Sequence, residues 1–152
     1  IVGFLENGSC IQKDYDYGCA ANKHDFYIYR ITSTNPDGKV IEFSAKQIQE
    51  YCNNKGLKAV PELYYGYAKD LFSDLTVTEH WNEEFLNKLK ETYLEKDDPL
   101  CNNKVPDEGI ILRREVLDID CYKLKSHRFF ERESADLDSG EVNIEDEESN
   151  PL

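Results

Sequence analysis

The chain has 152 residues, 39% of them hydrophobic and 12% aromatic, with a formal net charge of -13. That is enough apolar side chain for one domain with a core, and no apolar run approaches the roughly 20 residues of a membrane span, so no membrane partner is expected. The charge is uneven: residues 131–152 hold nine Asp or Glu and one Arg, about -8 of the total, which leaves room for a site built from a few cations elsewhere.

In chain order, residues 1–4 (IVGF) read as a strand and 5–24 as a polar loop with Gly8 and Gly18. Residues 25–34 (DFYIYRITST) are rich in aromatic and β-branched side chains and read as one strand. The turn composition of NPDGK sends the chain back into a second strand, VIEFS. Ser44 is positioned to cap a helix that Gly56 would end, with Ala45, Ile48, Tyr51 and Cys52 recurring at helical spacing. Residues 57–67 read as a short strand interrupted by Pro61, and 68–75 as a helical turn. The clearest helix is 78–96, where Trp81, Phe85, Leu89 and Tyr93 recur at i+4 steps behind a Thr78 cap. A loop at 97–108 leads into strands at 109–116 and 119–126, then a short helix at 127–134. After Ser134 large apolar groups nearly vanish, so 135–152 are expected to be an acidic disordered tail or linker. The fold class expected is α+β, rich in antiparallel sheet.

Five cysteines, without a CxxC spacing or a His pair to complete a zinc pattern, read as reduced thiols of a cytoplasmic protein. There is no methionine, and IVGF looks like the middle of a strand, so the expectation is a fragment or a trimmed chain.

Three places could carry chemistry. Lys123 and Lys125 alternate with Tyr122 and Leu124, so they share one face of a strand. Two like charges there repel unless an anion lies between them, and a polyphosphate suits. Two solvated lysines guarding a sheet edge are the other reading. Glu108 enters its strand beside Gly109, where a ligand or backbone could come close. Spacing puts it on the face of Ile110 and Leu112, at the rim of an apolar surface. Such a carboxylate suits a divalent metal or a ribose hydroxyl, or is simply an exposed strand-start Glu. Tyr27 and Tyr29 share a face and form either a base-stacking platform or core.

Taken in order, "IVG", "IQKDYDYG", "DFYIYRI", "DEGIILRR" and "CYKLKS" resemble the strand, loop and motif sequence of phage-type ATP-dependent RNA ligases of the double-strand-sealing class. These belong to the covalent nucleotidyltransferase superfamily with DNA ligases and mRNA capping enzymes. The likeness covers about 125 residues. It implies that residues 1–134 are the C-terminal part of an adenylation domain that uses ATP and Mg²⁺ (or Mn²⁺). Lys123 and Lys125 would contact the nucleotide phosphates, with Lys123 stabilising charge on the α-phosphate. Glu108 would act at the metal, Tyr29 would stack on adenine, and Arg113 would be a basic contact at the end of its strand. The partners implied are RNA ends or nicks, joined 5′-phosphate to 3′-hydroxyl through lysyl-AMP and RNA-adenylate.

One departure is large. The family forms its covalent intermediate on the lysine of a Lys-x-Asp-Gly motif, and no lysine here has that context. The nucleophile is therefore expected upstream, on the N-terminal half of the same domain, and residues 1–152 alone are expected to be inactive. Other superfamily members, a DNA ligase or a capping enzyme, fit the loop and the aromatic strand less well. The alternative from a different class is a non-catalytic acidic interaction module or nucleic-acid mimic.

Overall fold

Residues 25–34 do not form one strand. The computed structural model describes residues 1–116 and 119–138, and there this stretch is shared among three sheets. Strand β1 (Val2–Gly3) pairs antiparallel with β2 (His24–Asp25). Strand β3 (Tyr27–Ile28) belongs to a second sheet and β4 (Thr32–Thr34) to a third. Asp25 turns its carboxylate onto the Phe26 N–H at 2.8 Å. A local side-chain acceptor of this kind competes with the strand ladder, and pairing changes partner at that point.

The expected hairpin forms between β4 and β5 (Val40–Glu42), with Thr32 opposite Glu42 and Thr34 opposite Val40. Its turn is closed by Asn35, whose carboxamide accepts from Lys39 N–H at 2.8 Å while its carbonyl accepts from Gly38 N–H at 2.9 Å. Helix α1 (Ala45–Lys55) follows with a full capping box. Ser44 Oγ accepts from Gln47 N–H, and the Gln47 side chain accepts from Ser44 N–H. Gly56, at φ 65°, closes it in the left-handed conformation. Ile48 and Cys52, one turn apart, are buried. The hairpin and α1 together make the crossover that lets β6 (Lys58–Ala59) run parallel to β3.

Helix α2 is one turn, Ala68–Leu71, and α3 spans Trp81–Tyr93. Thr78 does not cap α3. Its Oγ accepts from His80 N–H at 3.3 Å and its carbonyl from Trp81 N–H at 3.2 Å, so it shapes the turn before the helix. Phe85 and Leu89 carry the buried face of α3; the Trp81 ring stacks on that of Phe85 at 4.8 Å, and the Phe72 ring meets Phe85 tilted at 5.6 Å.

Strands β7 (Gly109–Arg114) and β8 (Asp120–Lys125) form an antiparallel hairpin and lead into α4 (His127–Asp138). Ser126 is fully buried, and its Oγ accepts from Phe129 N–H at 3.2 Å. Glu95 accepts from His127 N–H at 2.5 Å and Arg128 N–H at 3.1 Å, so the first turn of α4 has its donors filled. The helix runs past the expected end at Ser134. Lys13 pairs with Asp136 at 3.0 Å, which neutralises the first acidic residue of the expected tail and docks it, and Arg132 pairs with Asp14 one turn earlier. Residues 139–152, the remainder of that tail, lie outside the described residues.

Tyr15, Val105 and Phe129 form a buried cluster, with Tyr17 and Cys101 packed against it. Tyr15 comes from the stretch expected to be a plain polar loop. Its ring meets Phe129 edge-on at 6.2 Å, and its hydroxyl donates to the Pro106 carbonyl at 2.6 Å. Helices and small, mostly antiparallel sheets make this an α+β chain. No helix among the described residues is long and apolar enough to cross a membrane.

Candidate functional site

The site is built on the β7–β8 hairpin. Register sets Gly109 opposite Lys125, Ile111 opposite Lys123 and Arg113 opposite Cys121. These positions share one face of the pleat. Glu108 would fall on the opposite face by alternation, with Ile110 and Leu112. Its carboxylate instead forms an ion pair with Lys123 Nζ. The reason is Gly109, whose φ of 143° breaks the alternation where the strand begins. A Cβ at 109 would overlap the Leu124 carbonyl oxygen and stand 2.9 Å from Lys125 Cα. Only glycine lets β7 and β8 approach this closely. The hairpin mouth is closed by Ser126 N–H donating to the Glu108 carbonyl at 2.9 Å.

Lys125 turns the other way, to α4. Its ammonium lies 3.3 Å from both oxygens of Glu133 and 5.2 Å from the ring centroids of both Phe129 and Phe130. The two lysines thus each hold a separate glutamate. A polyphosphate would replace Glu108 at one and Glu133 at the other. Beside them, Asp107 accepts from Gly109 N–H at 3.0 Å, and its carboxyl is pushed above the usual range by burial.

Arg113 is committed to protein groups. Its Nε donates to Glu115 at 3.1 Å, Nη1 to Glu42 at 3.0 Å and Nη2 to the Phe43 carbonyl at 2.6 Å. With the guanidinium filled in this way, Arg113 holds Glu115, Glu42 and the Phe43 carbonyl together. Glu42 also holds Arg30 at 2.8 Å, and Glu115 accepts from Ala45 N–H at the start of α1 and from the Tyr65 hydroxyl at 3.1 Å. Desolvation pushes the Glu115 carboxyl up, but the hydrogen bonds from Ala45, Arg113 and Tyr65 outweigh it and hold the pKa below the usual value. Arg30, Glu42, Arg113 and Glu115 therefore tie the end of the Tyr29 segment to the hairpin. Tyr29 itself follows the last paired residue of β3 and is 73% exposed, with its ring free to stack.

Glu42, Glu115 and Glu133 take part in this arrangement without having been expected. The partner of Glu42 sits 71 residues away and that of Glu133 across a strand–helix junction, which no sequence spacing marks; Glu115 stands two residues from Arg113, the spacing of one strand face. All five cysteines are free thiols. Among the described residues no cluster of three or more His, Cys, Asp or Glu side chains is arranged to hold a metal ion by itself. A Mg²⁺ in a nucleotide site commonly takes one or two carboxylates and completes its shell with phosphates and water. Glu108, partly exposed at the hairpin mouth, fits that requirement as a single protein ligand.

No family model, curated protein or solved structure matches the chain.

Proposed function

We propose that this chain supplies the phosphate- and base-binding part of an ATP-dependent RNA ligase, as an adenylation domain whose nucleophilic lysine lies outside residues 1–152. The observation that carries the reading is the Glu108–Lys123 pair at a strand opening that glycine keeps tight. A carboxylate and an ammonium side by side can take opposite ends of a metal–phosphate group, the lysine on a phosphoryl oxygen and the glutamate on the metal side. Bound Mg²⁺ would neutralise the phosphate charge that grows as pyrophosphate leaves. Lys123 would hold the α-phosphate as AMP passes to the lysine and then to a 5′-phosphate end. Lys125 would bind a neighbouring phosphate on leaving Glu133. Tyr29 would offer its ring to adenine, held in place through the arginine–glutamate quartet.

The test is mass spectrometry of the intact protein with ATP and Mg²⁺. It should gain one AMP, residues 1–152 alone should gain none, and Lys123→Ala and Lys125→Ala should each suppress the adduct. An intact protein that never carries AMP would refute the reading.

A second reading, a non-catalytic acidic module, is favoured by one observation. Both lysines are already neutralised by glutamates of the chain itself, as in a surface that needs no ligand.

A further inference from the structure

The stretch between β6 and α2 meets the residues already described through Tyr65, whose hydroxyl reaches Glu115. It carries Tyr64, Tyr65 and Tyr67, all exposed, the last at 76%. Three rings within four residues leave much apolar surface facing water. They are nonetheless held in place. The Tyr64 hydroxyl donates to the Tyr67 carbonyl at 3.1 Å, and the Tyr65 hydroxyl donates to Glu115 at 3.1 Å. Gly66 lies flat against Tyr64, where a Cβ would stand 2.5 Å from the hydroxyl oxygen. Two of the three hydroxyls are tied down while the rings remain accessible, which is a preorganised aromatic surface.

Cations are interleaved with these rings. Lys46 Nζ lies 4.3 Å from the Tyr65 centroid, and Lys69 Nζ lies 5.8 Å from that of Tyr67. Lys46 also meets Glu62 at 2.8 Å, so a phosphate there would take the place of a carboxylate. Lys69 makes no ion pair among the described residues. Residues 44–71 contain four lysines against three acidic residues, a local excess of cations in a chain of net charge -13. Rings for bases alternating with ammonium groups for phosphates are what a flexible, unpaired polynucleotide needs, whatever its sequence. An apolar peptide would have no use for the ammonium groups.

We propose that Tyr64, Tyr65 and Tyr67, with Lys46 and Lys69, form a platform that binds single-stranded nucleic acid by stacking bases on the rings. The inference deepens the ligase reading, since it says where an unpaired strand of the substrate lies, but its test reads binding and not chemistry. Titration of a labelled oligoadenylate with the 152-residue chain, followed by fluorescence anisotropy, should give binding that weakens as salt rises. Tyr67→Ala and Lys69→Ala change exposed side chains, and far-UV circular dichroism checks that each variant is folded. Each should weaken binding about fivefold or more, as should an abasic strand of equal length. No binding by the wild-type chain, equal binding by both variants, or equal binding of the abasic strand would overturn the platform. An intact protein that binds oligoadenylate in this way yet forms no AMP adduct would refute the ligase reading alone.

Discussion

Replacing Gly109 by alanine should open the hairpin on which the candidate site is built. Two costs can be separated. The backbone at φ 143° is a conformation that L residues rarely adopt, and holding a non-glycine residue in such a region costs about 1–3 kcal/mol. The second cost is steric: the new Cβ overlaps the Leu124 carbonyl, which is backbone and cannot rotate away. Moving β8 aside weakens the hydrogen bond from Ser126 N–H to the Glu108 carbonyl, a net loss of about 1 kcal/mol. Together these give about 2–4 kcal/mol, a large share of the roughly 5–15 kcal/mol that typically separates folded from unfolded domains. Gly38→Ala is the control, because Gly38 also has positive φ, at 81°, but a Cβ there meets nothing within 4 Å. Urea denaturation followed by circular dichroism should therefore show a clearly larger loss for Gly109→Ala than for Gly38→Ala. Equal losses would mean that close strand approach at Gly109 contributes nothing to stability, and the steric part of this reasoning would fail.

Other outcomes follow from single contacts. Ser44→Ala removes one arm of the α1 capping box and should cost about 1 kcal/mol in urea denaturation. Phe129→Ala empties a ring site shared with Tyr15 and Val105 and should cost about 3–5 kcal/mol, measured the same way. Asp16 accepts from Gly18 N–H and Asn102 N–H, each at 2.9 Å, and these bonds hold its pKa below the usual carboxylate value, with the Asn102 bond foremost. Its contribution should be present above about pH 3.9 and fade as pH falls through the lower folded-state value. Asp16→Asn should flatten that part of the acid-unfolding curve, and an unchanged curve would contradict the assignment. Asp107 has the opposite sign: burial raises its pKa, so its cost appears as pH rises through the carboxylate range. Asp107→Asn, which keeps an acceptor for Gly109 N–H, should gain stability at neutral pH relative to acid, by differential denaturation at the two pH values.

Local signals in the sequence located most elements. The Ser44 and Gly56 ends of α1 and the NPDG turn were legible because caps and turns are set by residues within a few positions of one another. The paired strands 109–114 and 120–125 were legible from alternation, which also placed Lys123 and Lys125 on one face. What local pattern could not show was partner choice. Residues 25–34 carry uniform strand propensity, yet three different strands claim parts of them. The start of α3 was misplaced because Thr78 has the chemistry of a cap but is used in the preceding turn. Glu108 was assigned to the wrong face because alternation assumes ordinary φ, and Gly109 departs from it. Glu133 at Lys125 and Glu42 at Arg113 were hidden for the same reason as the buried Tyr15: their partners are brought near only by the fold.

The group formed by Arg30, Glu42, Arg113 and Glu115 has a property of parity. Two positive and two negative side chains make it electrically even. Any single substitution to a neutral residue makes it odd, leaving one charge beside a partly buried surface without its counterpart. Removing one arginine and one glutamate together restores evenness. Charge lost on one side of this junction is thus made good only by a matching loss on the other.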